Sequence, residues 1–219
     1  MRKKKSRLVL TILILVTLVL LGGCSMISGD NAETEQTKPV SGNLNCVQIS
    51  RFSGGFVEDG TDETVTDVAA ILVENNTGKY IELATATYQV GERTAEFRIT
   101  GLPSGERCWV LEKSRMHIAP SDELIFEDCQ VSYNKNPITQ PPDLAVEREG
   151  KTLTLTNTTD KILKNVCVYY KNRMEDGTFM GGITYAIHYE DMAPGATIQH
   201  STVHFSEESE IVRFSYQTA

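Results

Sequence analysis

Four residues near the C-terminus, His188, Glu190, His200 and His204, carry the ring nitrogens and carboxylate oxygens that zinc or copper accepts. His188 and Glu190 share one strand parity, as do His200 and His204. A hairpin turning at 192–195 would set His188 opposite His200. A metal centre needs three or four such groups converging within coordination distance, and strand parity does not supply convergence. The expectation is therefore that these are surface strand residues beside Tyr189 and Phe205, and that the chain takes no metal or other cofactor into its fold.

Other chemistry-bearing residue types fare similarly. The acidic run Glu58-Asp59-Gly60-Thr61-Asp62-Glu63 has the oxygens for calcium but not the alternating ligands and distal glutamate of a calcium loop, so it reads as a solvated hairpin tip. Ser104 sits in Gly101-Leu102-Pro103-Ser104-Gly105, a strand–turn–strand context unlike a nucleophile elbow. Trp109 could be a ligand platform, but a core tryptophan of a sandwich is the commoner use. Asn75-Asn76-Thr77 and Asn157-Thr158-Thr159 fit a glycosylation acceptor and equally fit tight turns, the reading adopted here. With no phosphate loop, dinucleotide fingerprint or nucleophile–base pair, the expectation is a protein that is not an enzyme.

The elements that would position such residues begin with a segment that is not part of a fold. Met1-Arg2-Lys3-Lys4-Lys5-Ser6-Arg7 is followed by apolar residues from 8 to 21, then Gly22, Gly23 and Cys24. A basic start, a short apolar stretch and a small-residue exit make a secretory signal over 1–23. The apolar stretch is shorter than the roughly 20 residues of a comfortable span. Leu21-Gly22-Gly23-Cys24 resembles the bacterial lipobox. That resemblance implies that a diacylglyceryl group joins the Cys24 sulfur, that cleavage makes Cys24 the new N-terminus, and that the protein is held at the extracytoplasmic face of the cell membrane. The long basic start, with no Asp after Cys24, favours a Gram-positive envelope.

The formal net charge of the whole chain is −8; without the five cations that precede Cys24, 16 basic residues face 29 acidic ones, a net of −13. Such a surface disfavours nucleic acid and anionic headgroups, so membrane contact is expected through the lipid alone. Residues 24–45 are polar, with almost no apolar pattern, and read as a flexible tether with a reach of about 25 Å. Cys46, Cys108, Cys129 and Cys167 lack the close spacing of a zinc ribbon. Export permits disulfides, and Cys46 and Cys129, in the expected first and last strands of the first domain, make the best candidate pair, with buried free thiols the alternative.

From Cys46 onward a period of two dominates. Strands are expected around Val47 and Ile49, from 68 to 73, 80 to 90, 95 to 99, 108 to 111 and 124 to 133. No 3.6-residue stripe follows the signal. Three prolines within 134–142 mark a semi-rigid linker. The predicted organisation is a β-sandwich domain over 46–133 and a second over 143–219.

The second half reads as a copy of the first. With Asn75 set against Asn157, Thr77 meets Thr159, Lys79 meets Lys161 and Tyr88 meets Tyr170. The apolar positions Ile71, Val73, Ile81, Ala84 and Ala86 meet Leu153, Leu155, Leu163, Val166 and Val168. Further on, Leu102-Pro103-Ser104-Gly105 meets Met192-Ala193-Pro194-Gly195. On one strand Val166, Val168 and Tyr170 share a face, as Leu153 and Leu155 do on the strand before it, so two sheets must cover each other.

Leu153-Thr154-Leu155-Thr156-Asn157-Thr158-Thr159, Val166-Cys167-Val168-Tyr169-Tyr170 and Ala193-Pro194-Gly195 together resemble the FxLYD-like and related immunoglobulin-like domains of exported bacterial lipoproteins. The resemblance covers most of the second half and, more loosely, the first. It implies an all-β chain of two tandem immunoglobulin-like sandwiches from a family not known for catalysis. The expected function is a non-catalytic binding or scaffolding role at the cell envelope, with a protein partner and as an accessory of a membrane complex. The alternative expectation is a small-ligand- or metal-binding lipoprotein using the histidine strands.

Overall fold

The computed structural model describes residues 38–41, 44–55, 64–202 and 204–219. The signal, Cys24, most of the expected tether and the acidic run at 58–63 lie outside the described residues. The described residues form thirteen strands and no helix. The first half contains β1 (Lys38–Ser41), β2 (Leu44–Gly55), β3 (Thr64–Asn75), β4 (Tyr80–Val90), β5 (Arg93–Leu102), β6 (Arg107–Leu111) and β7 (Ile125–Asn134). The second contains β8 (Leu144–Glu149), β9 (Thr152–Asn157), β10 (Leu163–Arg173), β11 (Phe179–His188), β12 (Thr197–Ser201) and β13 (Ser209–Thr218).

The chain is all-β, with sheets packed face to face as in a β-sandwich. β5-β4-β7 forms one three-stranded sheet, β12-β9-β8 another, and a seven-stranded sheet runs β1-β2-β3-β6-β11-β10-β13. The period-two pattern explains the stacking. On β4 the alternating Ala84, Ala86, Tyr88 and Val90 are buried, as are Ala95, Phe97 and Ile99 on β5. These meet Leu44, Cys46, Ile71, Val73, Cys108 and Val110 from the long sheet in one hydrophobic core. In the second core Leu153 and Leu155 of β9 pack with Val166, Val168 and Tyr170 of β10, the faces that strand parity assigned. Each such aliphatic side chain contributes about 1.5–3 kcal/mol relative to exposure, set against the entropy of ordering it.

The two halves share one wiring diagram. β2-β3-β6 over β5-β4-β7 repeats as β8-β9-β12 over β11-β10-β13. The repeat extends to single hydrogen bonds. Asn75 is fully buried, and its Nδ2 donates to the carbonyls of Lys79 (2.9 Å), Leu102 (2.8 Å) and Pro103 (3.0 Å). Asn157, also fully buried, donates to Lys161 (2.7 Å), Met192 (3.0 Å) and Ala193 (3.1 Å). Their Oδ1 atoms accept from the amide and hydroxyl of Thr77 and of Thr159. Each asparagine therefore ties a strand end to a distant turn. Such burial also rules out either one as an accessible glycan acceptor.

The structure departs from, or adds to, the sequence reading in four places. The ordered body starts before Cys46: β1 pairs with β2, and Leu44 is fully buried, because an apolar residue in Asn43-Leu44-Asn45 suffices to extend the strand into the core. The proline-rich segment does not merely span between halves. Ile138 bridges to Phe214 of β13, and its carbonyl accepts from the Phe214 amide at 2.7 Å, so the segment docks on the second core. Trp109 is not in the inter-sheet core. Cys108 and Val110 hold the inward positions of β6, and parity turns the tryptophan to the other face, against the cluster of Val68, Ala70 and Leu111. Finally, β12 pairs with β9 rather than with β11, so 192–195 is a crossing between sheets and not a hairpin.

The halves are joined by main chain as well as side chains. β6 and β11 pair in parallel, Phe179 with Cys108 and Met180 with Trp109. Phe179 enters the first core, and the Cys108 thiol donates to the Gly181 carbonyl at 2.9 Å. Arg173 reaches from β10 to Glu106 (2.9 Å), and Arg213 from β13 to Glu82 of β4 (3.1 Å).

Candidate functional site

The histidine constellation does not assemble. His188 lies exposed on β11 in the seven-stranded sheet, beside Cys167 across the strand pair with 4.0 Å between Nε2 and Sγ. His200 lies on β12 in a different sheet, facing the Tyr189 ring edge at 5.7 Å. His204 stacks on Tyr185 at 5.8 Å, and Glu190 is exposed in the loop after β11. The strand crossing that separates β11 from β12 puts His188 and His200 in different sheets. Among the described residues no group of three or more histidine, cysteine, aspartate or glutamate side chains gathers to hold a metal.

Among the described residues no disulfide joins Cys46, Cys108, Cys129 or Cys167, the alternative that the sequence left open beside a Cys46–Cys129 pair. Cys46 is on β2 and Cys129 on β7, in opposed sheets, and both lie near the Tyr88 phenol. Burial pushes the Cys129 thiol up to about 11, and the neighbouring Asp128 adds to it. Burial likewise raises Cys167, partly offset by Tyr169 and Arg213. A thiol held protonated is a poor nucleophile.

The feature that does gather polar chemistry is a cleft of ≈ 490 Å³ between the halves. One wall is Tyr80 and Glu82 of β4 with Arg98, Thr100 and Gly101 of β5; the other is Tyr169 of β10, Ile183 and Thr184 of β11 and Arg213 of β13. The strand period places them there. Phe97 and Ile99 point into the first core, so Arg98 and Thr100 point out of it; Val168 and Tyr170 point into the second core, so Tyr169 points out. Two outward faces meet because β11 packs beside β5. At Gly182 a Cβ would lie 2.0 Å from the Arg98 carbonyl oxygen, so only glycine permits that approach.

Within the cleft Arg213 is pinned. Its guanidinium lies 4.1 Å from the Tyr169 ring centroid and 3.1 Å from Glu82. The floor is tied by Thr100 and Thr184, whose hydroxyls are 2.9 Å apart, and by the Thr184 amide donating to Thr100 Oγ1 at 2.8 Å. Tyr80 is buried, and its hydroxyl has no hydrogen-bond partner among the described residues. Burial raises its phenol far above the usual range, and the neighbouring Arg213 pulls it partly back. Arg98 is exposed, with no ion-pair partner among the described residues. The arrangement offers donors and a surplus positive charge. It can hold an acceptor, and it places no thiol, serine or histidine on the lining to attack one.

None of these residues stood out in the sequence: Arg98, Thr100, Tyr169 and Arg213 alternate with core positions, and Tyr80 reads as a core residue. The chain matches no family model and no curated protein.

Proposed function

We propose that the protein is an exported lipoprotein, held at the extracytoplasmic face of the cell membrane through a diacylglyceryl group on Cys24, with a non-catalytic binding or scaffolding role at the envelope. Its two halves act as tandem immunoglobulin-like domains on a tether. The basic, apolar and small-residue succession ending at Cys24 supports export and anchoring. Two acyl chains suffice for stable attachment, at about 0.8 kcal/mol per buried CH₂. No further cofactor is called for.

The observation that carries the binding role is the cleft between the two halves, lined by hydrogen-bond donors. Its partner is an envelope protein, and the chain serves as an accessory to a membrane complex. The test is crosslinking in cells followed by recovery of the lipidated protein from its own membranes. Recovery of a defined envelope protein, reduced by substitution at the cleft rim (Glu82→Lys), is the expected result. Recovery of cytosolic proteins alone would contradict the reading.

A second reading, a small-ligand-binding lipoprotein, is favoured by the same cleft rather than by the histidine strands.

A further inference from the structure

We propose that the cleft is a binding site for a small monocarboxylate, its carboxylate held by the Arg98 guanidinium and the Tyr80 hydroxyl. The inference rests on the binding role above and names the ligand class for the second reading.

Two lining groups lack partners of their own. The Tyr80 hydroxyl is buried and makes no hydrogen bond among the described residues. A buried hydroxyl in that state is destabilising, and an acceptor oxygen delivered by a ligand relieves it. The Arg98 guanidinium lines the same cleft, with no ion pair among the described residues of a chain in which acids outnumber bases 29 to 21. A guanidinium presents a planar fork of N–H donors that matches a carboxylate, and the phenol adds one further donor.

The other lining groups select against alternatives. Arg213 is engaged by Glu82 and Tyr169 and serves as wall rather than ligand donor. The lining therefore carries two guanidinium groups and one carboxylate, a net of one positive charge. One charge suits a monocarboxylate. A phosphate dianion would meet Glu82 at the rim and the negative field of the whole chain, net −8. The volume of ≈ 490 Å³ lies within the usual range for small-molecule sites and leaves room for an amide or short side chain beside the carboxylate. Gly101 keeps the floor open. It has φ +59°, and a Cβ there would lie 2.5 Å from Thr184 Cγ2 and 2.9 Å from the Tyr80 hydroxyl oxygen.

The experiment is a calorimetric titration of the full chain, purified in detergent, with N-acetylalanine, its uncharged amide N-acetylalaninamide, and inorganic phosphate as probes. N-acetylalanine is expected to bind saturably. Arg98→Gln should weaken it roughly tenfold or more, as loss of a charge-assisted contact does, and Tyr80→Phe by about threefold to tenfold. The amide should not bind saturably. Arg98 is exposed, so Arg98→Gln should keep the parent's urea midpoint, and Tyr80→Phe, which removes an unpartnered buried hydroxyl, should keep or raise it. The proposal is overturned if N-acetylalanine fails to saturate at roughly 10 mM, the weak end of useful small-ligand affinity. It is equally overturned if both variants bind as the parent does, or if phosphate binds more tightly than the carboxylate. The titration uses no membrane and no partner, so its failure leaves crosslinking recovery as a separate result, and failure to recover a partner leaves the titration standing.

Discussion

Asn75 and Asn157 each hold three backbone carbonyls with one amide group, and each is fully buried. Replacing Asn157 by alanine strands those carbonyls and should destabilise the protein by about 2–3 kcal/mol, read as a lower urea midpoint with unchanged slope. Asn157→Asp should be at least as damaging, since a carboxylate faces three carbonyl oxygens. A second prediction concerns Glu74, whose carboxyl is held below its usual value first by the hydrogen bond from Arg107 and then by Asn76. Its folded value lies below its unfolded one. The contribution is therefore fully present above the unfolded carboxylate range and is lost as pH falls through the folded value. Glu74→Gln should cost about 0.5 kcal/mol at neutral pH, given solvent screening of a partly exposed pair, and the difference from the parent should vanish in acid. Melting curves of both proteins between neutral pH and pH about 3 would show it. The asparagine turns were legible in the sequence because an Asn-x-Thr turn is a local signal, made by side chains two residues apart. Lys171 was not. It is fully buried in a strand, with Nζ donating to the carbonyls of Gly181, Gly182 and Ile183. Nothing adjacent in sequence announces an ammonium group whose partners lie on another strand.

At the scale of elements, strand existence was legible and strand partnership was not. The expected strand from 80 to 90 coincides with β4, and 108 to 111 falls within β6. Apolar alternation is local, and each strand states its own buried face. Which strand lies beside which depends on contacts distant in sequence. Hence a hairpin of β11 with β12 was as open to the sequence as the observed pairing of β12 with β9, and the parallel joining of β6 to β11 had no sequence signature. Arg98, Thr100, Tyr169 and Arg213 were hidden for the same reason: their outward faces become a cleft only once β5 and β11 meet. Gly182 controls that meeting. Gly182→Ala would place a methyl group 2.0 Å from the Arg98 carbonyl oxygen and 2.8 Å from Val110 Cγ1. The strands must then separate, with a loss of about 1–3 kcal/mol typical of overpacking. Thermal denaturation should show the lower midpoint.

For the whole molecule, the repeated strand order and the joining of the two halves have different consequences. The repeat gives each half the same strand order and a hydrophobic core of its own. Joining through β6 and β11 turns two outward faces into facing walls that frame a polar recess. A lipid on Cys24 would hold that recess outside the membrane, with the excess of acidic residues keeping the body off anionic headgroups. The most direct measurement is the intact mass of the protein recovered from its own cells, compared with Cys24→Ser. A membrane-fraction species beginning at Cys24 and carrying a diacylglyceryl group, with the variant found uncleaved and unlipidated, is the predicted result. A full-length chain starting at Met1, unmodified and in the cytosolic fraction, would contradict the account.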